Sequence, residues 1–189
     1  MTKNLLIIFS LFISTSGFAC SCDWGGNFIK TAKKADLVLT VKVIEENFHL
    51  DNGKTFHSLE ETINETLKTD YNGTAEYWQS VDLEVLSVIK GILNKRKIRL
   101  FGSFGGAVCR SGIRHLKKGK SYVIVPTLSK YSFDRFTNEK EDDYFMWGCS
   151  ETSIEYKSKS DKVYGQIKGK SNRRKEIEYK YEKLIKRIT

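Results

Sequence analysis

Val81-Asp82-Leu83-Glu84-Val85-Leu86-Ser87-Val88-Ile89 decides the fold. Val81, Leu83 and Val85 alternate with Asp82 and Glu84, the period of a half-buried strand. The phase then slips, and Leu86 and Val88 carry the apolar positions. Such a slip predicts a β-bulge, the device by which a strand coils around a small barrel. Lys90-Gly91 begins the turn that follows.

Working outward, residues 37–44 read as the preceding strand. Leu37, Leu39, Val41 and Val43 alternate with Val38, Thr40, Lys42 and Ile44, and β-branched residues dominate. Residues 97–101, 122–125 and 144–147 complete a set of five, the fourth stopped by Pro126. A glycine-rich loop, Gly102-Ser103-Phe104-Gly105-Gly106, leads to Ala107-Val108-Cys109. Asn27 to Lys34 reads as a short helix, with Phe28, Ala32 and Ala35 on one face and Lys30, Lys33 and Lys34 opposite. Residues 46–79 read as a long polar loop between the first two strands. It has a turn at Asp51-Asn52-Gly53 and a short helix near residues 59–67. Its sequons at Asn64 and Asn72 are read as chance. Residues 150–170 read as polar and irregular. Over 171–188, Ile177, Tyr181, Leu184, Ile185 and Ile188 recur at helical spacing, with Ser171 or Asn172 as the cap. That helix is expected to pack on the domain rather than lie on a membrane. The fold class that follows is all-β with flanking helices: a five-stranded Greek-key OB-type barrel plus a C-terminal α-helix.

The N-terminus gives the compartment. Lys3 precedes an apolar run, Leu5 to Ile13, too short to span a bilayer, and Gly17 and Ala19 are small residues before a cut. Residues 1–19 are therefore read as a signal peptide and residues 20–189 as a single domain. The chain is expected to be secreted, periplasmic or extracellular. Lipoprotein processing is the alternative; it also leaves Cys20 first, with a lipid anchor in place of a free amine.

The chain has 189 residues, a net charge of +9, four cysteines, three histidines and one proline. Four cysteines in an exported chain predict two disulfides. A Cys20–Cys22 bond is disfavoured with one residue between them, so both are expected to reach Cys109 and Cys149. Loops of that length contribute about 4–5 kcal/mol each in the chain-entropy model. Cys-x-Cys also lacks the usual structural-zinc spacing, so no metal of its own is expected. Gly119-Lys120-Ser121 is not a phosphate loop, because no glycine stands five positions before Gly119. His49, His57 and His115 have no metalloprotease spacing, and no Ser/His/Asp signature appears. They are read as surface or loop residues. The chain is expected not to be an enzyme and to need no cofactor. A basic chain can meet nucleic acid, but export argues against it. No later segment is apolar enough to cross a membrane.

A mature start at Cys20-Ser21-Cys22, a short helix, and Ala35-Asp36-Leu37-Val38-Leu39-Thr40-Val41-Lys42-Val43-Ile44-Glu45 together resemble the N-terminal domain of the tissue inhibitors of metalloproteinases. That domain belongs to the netrin-like (NTR) group. Val88-Ile89-Lys90-Gly91 resembles the family's second strand and turn, and Ala107-Val108-Cys109 the loop whose cysteine bonds the first. The resemblance covers about residues 20–149. It implies bonds Cys20–Cys109 and Cys22–Cys149. It implies a monomer whose partner is a zinc metalloprotease, with the catalytic zinc chelated by the α-amine and carbonyl of Cys20. Ser21, Cys22, Ala107 and Val108 would contact the protease. The chain lacks the family's third disulfide and has Asp23-Trp24 where the family often has a small pair. The alternative is a non-inhibitory netrin-like binding module, lipid-anchored or free, engaging another exported protein or an acidic polymer.

Overall fold

The computed structural model describes residues 24–68, 77–103, 109–132, 134–169 and 175–189. In chain order the elements are α1 (Phe28–Lys34), β1 (Val38–Leu50), β2 (Thr55–Phe56), α2 (Leu59–Lys68), β3 (Tyr77–Lys90), β4 (Lys97–Gly102), β5 (Ser121–Ile124), β6 (Thr127–Leu128), β7 (Tyr144–Phe145), β8 (Ser153–Lys157), β9 (Lys162–Gly165), β10 (Ile177–Lys180) and α3 (Tyr181–Ile188). The described chain is mostly β, with three helices, one of them C-terminal. Its strands form one mixed sheet in the order β10-β9-β8-β5-β1-β3-β4-β7-β6, with β2 paired to β1. Every pairing is antiparallel except β4 with β7.

The slip at Leu86 is a bulge. Thr40 faces Ser87 and Val41 faces Val85, which leaves Leu86 as the extra residue on β3. Ile89 is a second extra residue, between the Val38–Lys90 and Leu39–Val88 pairs. Each bulge bends the ribbon and raises its twist.

Two apolar clusters lie on opposite faces of this sheet. Leu39, Val41, Val43, Leu83, Leu100, Ile113, Tyr122 and Ile124 belong to the first. Phe28, Ala32, Val38, Val123, Val125, Ile154, Val163, Leu184 and Ile188 belong to the second. On β5 and its continuation the two sets alternate residue by residue, as the two-residue period of a strand requires. Helices α1 and α3 cover the second cluster. Asn27 caps α1, its Oδ1 accepting from the Lys30 N–H at 3.1 Å.

Four expectations change. The C-terminal helix begins at Tyr181, not Ser171. Ile177–Lys180 is a strand on β9, and the first helical residue is held by its own N–H on the Asp161 carbonyl. The proposed caps, Ser171 and Asn172, lie outside the described residues. The 46–79 segment is only partly loop. β1 runs on to Leu50 and β3 starts at Tyr77, with β2 and the expected short helix between them. Residues 150–170 contain two strands, β8 and β9, which extend the sheet from β5. His49, expected at the surface, is fully buried on β1.

Gly91 ends β3 with φ +87°, and a Cβ there would stand 2.2 Å from the Asp36 carbonyl oxygen. Both the left-handed backbone and the closeness demand glycine. Gly91→Ala is expected to cost at least about 1–3 kcal/mol. Urea unfolding measures it, and an unchanged midpoint would mean the turn is not built this way.

Candidate functional site: the corner where the chain enters the sheet

Cys20, Ser21, Cys22, Ala107 and Val108 lie outside the described residues. The segments that flank them are described, and they meet. The Gly25 N–H donates to the Cys149 carbonyl at 2.6 Å, and the Glu151 N–H donates to the Gly26 carbonyl at 3.0 Å. The incoming chain is thus laid against residues 149–151. On the other side, the Gly148 N–H donates to the Cys109 carbonyl at 2.8 Å, and the Ser111 N–H donates to the Met146 carbonyl at 2.7 Å. Arg110 and Trp147 form an antiparallel bridge between these two hydrogen bonds. Gly148 permits this closeness: a Cβ there would lie 3.1 Å from the Arg110 carbonyl oxygen. Cys109 and Cys149 are both engaged in disulfides, and no described cysteine is free.

The corner has a rigid backing that the sequence did not announce. Arg110 and Glu139 are both buried and form an ion pair, with Arg110 Nη1 at 2.8 and 2.6 Å from the two Glu139 carboxylate oxygens. Arg110 Nη2 donates to Ser132 Oγ at 2.6 Å and to the Asp134 carbonyl. Glu139 also accepts from the Ser129 hydroxyl and, at 3.0 Å, from the Phe136 N–H. The guanidinium lies between two rings, 4.7 Å from the centroids of both Phe136 and Phe145. Trp78 stacks on Phe136 at 5.3 Å, and Trp147 meets Phe145 edge-on at 4.8 Å. One stack therefore runs from β3 through Arg110 to the partly exposed Trp147, two residues before Cys149. Cation–π contact and a satisfied buried carboxylate make the residue after Cys109 hard to move.

Two grooves adjoin the corner. One, of about 640 Å³, is lined by Trp24, His115, Lys120, Ser153, Glu155 and Tyr164. The other, of about 840 Å³, is more apolar and is lined by Leu37, Ile92, Leu128, Tyr131, Tyr144 and Trp147. Ser150 borders both. In the first groove His115 Nε2 lies 2.6 Å from Ser153 Oγ, and among the described residues no acidic side chain is bonded to the ring. Arg110, Glu139 and Trp147 are corner residues given no role by the sequence, whereas Trp24 stood out only as a departure from the family pattern. The one local signal was the placement of Arg110 and Trp147 beside cysteines.

Among the described residues no group of three or more His, Cys, Asp or Glu is placed to hold a metal ion, and no helix is long and apolar enough to cross a membrane. No family model and no curated protein sequence matches the chain.

Proposed function

We propose that the chain is a netrin-like, OB-type barrel which, cut before Cys20, inhibits a zinc endopeptidase through its new N-terminus. A catalytic zinc has three protein ligands and one position open to water. The unprotonated α-amine and the carbonyl oxygen of Cys20 would chelate that zinc and displace the water. An α-amine has a reference pKa of about 7.7–8.0, so a useful fraction is neutral near pH 7, and metal binding displaces the rest of the protons. Ser21 would enter the pocket beside the zinc, and Ala107 and Val108 would form the second edge of the wedge.

The observation that carries this reading is the corner itself. Cys109 and Cys149 sit on segments joined to each other and to the incoming chain by backbone hydrogen bonds. Gly25, bonded to Cys149, is three residues from Cys22 and five from Cys20. A chain spans at most about 3.6 Å per residue, so bonds Cys20–Cys109 and Cys22–Cys149 are within reach. Those bonds would fix the terminus against a segment that Arg110 already holds, and little ordering entropy would be lost on binding. The strand order supports the barrel. β7 pairs with both β4 and β6, and only Val125 and Pro126 separate β6 from β5, which returns to β1. A strand order that turns back towards its own start is what closure into a Greek-key barrel would require.

The test compares three forms against a panel of zinc endopeptidases: protein beginning at Cys20, protein with one alanine added before it, and protein acetylated at the terminus. The first is expected to inhibit, and the other two to lose at least about 100-fold in affinity, or roughly 2.7 kcal/mol. Equal inhibition by all three, or none by the first, would reject the mechanism.

A further inference from the structure

Helices α1 and α3 pack side by side over the second apolar cluster, contributing Phe28, Ile29 and Ala32 from one and Leu184 and Ile188 from the other. Their solvent faces therefore look out from the same side of the sheet. Those faces are basic. Lys30, Lys33 and Lys34 are exposed on α1, and Lys183, Lys186 and Arg187 on α3. Lys90 joins them, its Nζ donating to the Lys33 carbonyl at 2.8 Å. The one acid on either helix is Glu182, which is bonded to Lys186 at 2.6 Å. Among the described residues, Lys30, Lys33, Lys34, Lys183 and Arg187 have no carboxylate within ion-pair distance.

Helix stability does not account for this arrangement. Lysines in a last turn complement the helix dipole, and that explains Lys33, Lys34, Lys186 and Arg187. Lys30 and Lys183 stand in first turns, where a cation opposes the dipole, and α1 has no acid in its first turn. The helices are short, about 10–12 Å each at 1.5 Å per residue, and packed neighbours lie about 8–10 Å apart. The cations thus fall within about two Debye lengths of one another at physiological salt and act together on an extended anion.

We infer that this two-helix face binds a linear acidic polysaccharide. The choice of polymer over bilayer rests on what the face lacks. An interfacial helix turns an apolar face to the lipid. Here both apolar faces are spent on the cluster, and none of the exposed large hydrophobic residues lies on α1 or α3. The choice over nucleic acid rests on the export reading and on the absence of an exposed aromatic platform on either helix.

The test uses immobilised heparin and alginate, with phosphatidylglycerol vesicles and duplex DNA in parallel, at about 0.15 M NaCl. The full mature protein is compared with Lys30→Glu/Lys33→Glu/Lys183→Glu/Arg187→Glu. A control set, Lys42→Glu/Lys97→Glu/Lys118→Glu/Lys140→Glu, makes the same net charge change at exposed lysines elsewhere. Thermal melts establish that each variant is folded. The face variant is expected to lose at least about tenfold in affinity for one or both polysaccharides, and the control less than about threefold. Equal losses would overturn the proposal in favour of diffuse net charge. So would failure of the wild type to bind either polysaccharide, or preferential binding of vesicles or DNA. Protease inhibition is read separately, so failure of one reading leaves the other standing.

Discussion

Glu139→Ala lowers the unfolding free energy by about 3–5 kcal/mol, the largest single-residue effect expected in this protein. The substitution removes both carboxylate oxygens from a guanidinium that is itself buried. It leaves a charge between two aromatic rings with no counter-ion, and it frees the Ser129 hydroxyl and the Phe136 N–H from their acceptor. Arg110 Nε already has no acceptor among the described residues, so the site has no spare acceptor to take up the donors that the substitution frees. The companion result has a different sign of argument. Arg110→Met/Glu139→Leu removes the charge and its counter-charge together, and is expected to recover most of the loss, because desolvation of the pair offsets much of its attraction. Urea unfolding at neutral pH measures both. A single substitution costing under about 1 kcal/mol, or a double variant no better than the single, would contradict a buried, coupled pair.

The second large effect is on pH dependence. His49 is fully buried, with Nδ1 2.9 Å from Thr55 Oγ1 and Nε2 2.7 Å from Ser80 Oγ, and it stacks on Phe101 at 5.2 Å. Burial first, and the Arg99 charge second, lower its pKa to about 4, against a weaker opposing pull from Asp82. A histidine depressed in the folded state binds its proton more readily when unfolded. Stability is therefore fully present above the unfolded value of about 6.5 and is lost as pH falls towards 4. The whole loss is about 3 kcal/mol. Unfolding free energies measured between pH 7 and 4 give the size, and an NMR titration of the imidazoles assigns it. A His49 pKa at or above 6.5 would remove the basis for the effect.

The local elements were legible where burial is one-sided. The alternation of Val81, Asp82, Leu83 and Glu84 in β3 and the lysine face of α1 both follow from which side of an element meets water. Legibility failed where pairing partners decide. Asn47, Phe48, His49 and Leu50 are all buried, so the end of β1 shows no alternation, and its Asn and His suggested a loop. Ile177, Tyr179 and Tyr181 fit a strand or a helix equally over so short a span, and pairing with β9 settles the first part of it. The Arg110–Glu139 pair joins residues 29 apart in sequence, with no local pattern to mark either partner. Of the candidate site, the cysteines drew attention to the right corner. The aromatic stack behind it depends on four rings drawn from three separate segments.

The stretch from Tyr122 to Val125 sends alternate side chains into two different interiors. Composition there is free to drift among apolar residues, since both interiors accept them. Length is not: one residue inserted or deleted would exchange what each interior receives. For this protein the inherited constraint at the centre of the molecule is therefore on counting rather than on chemistry.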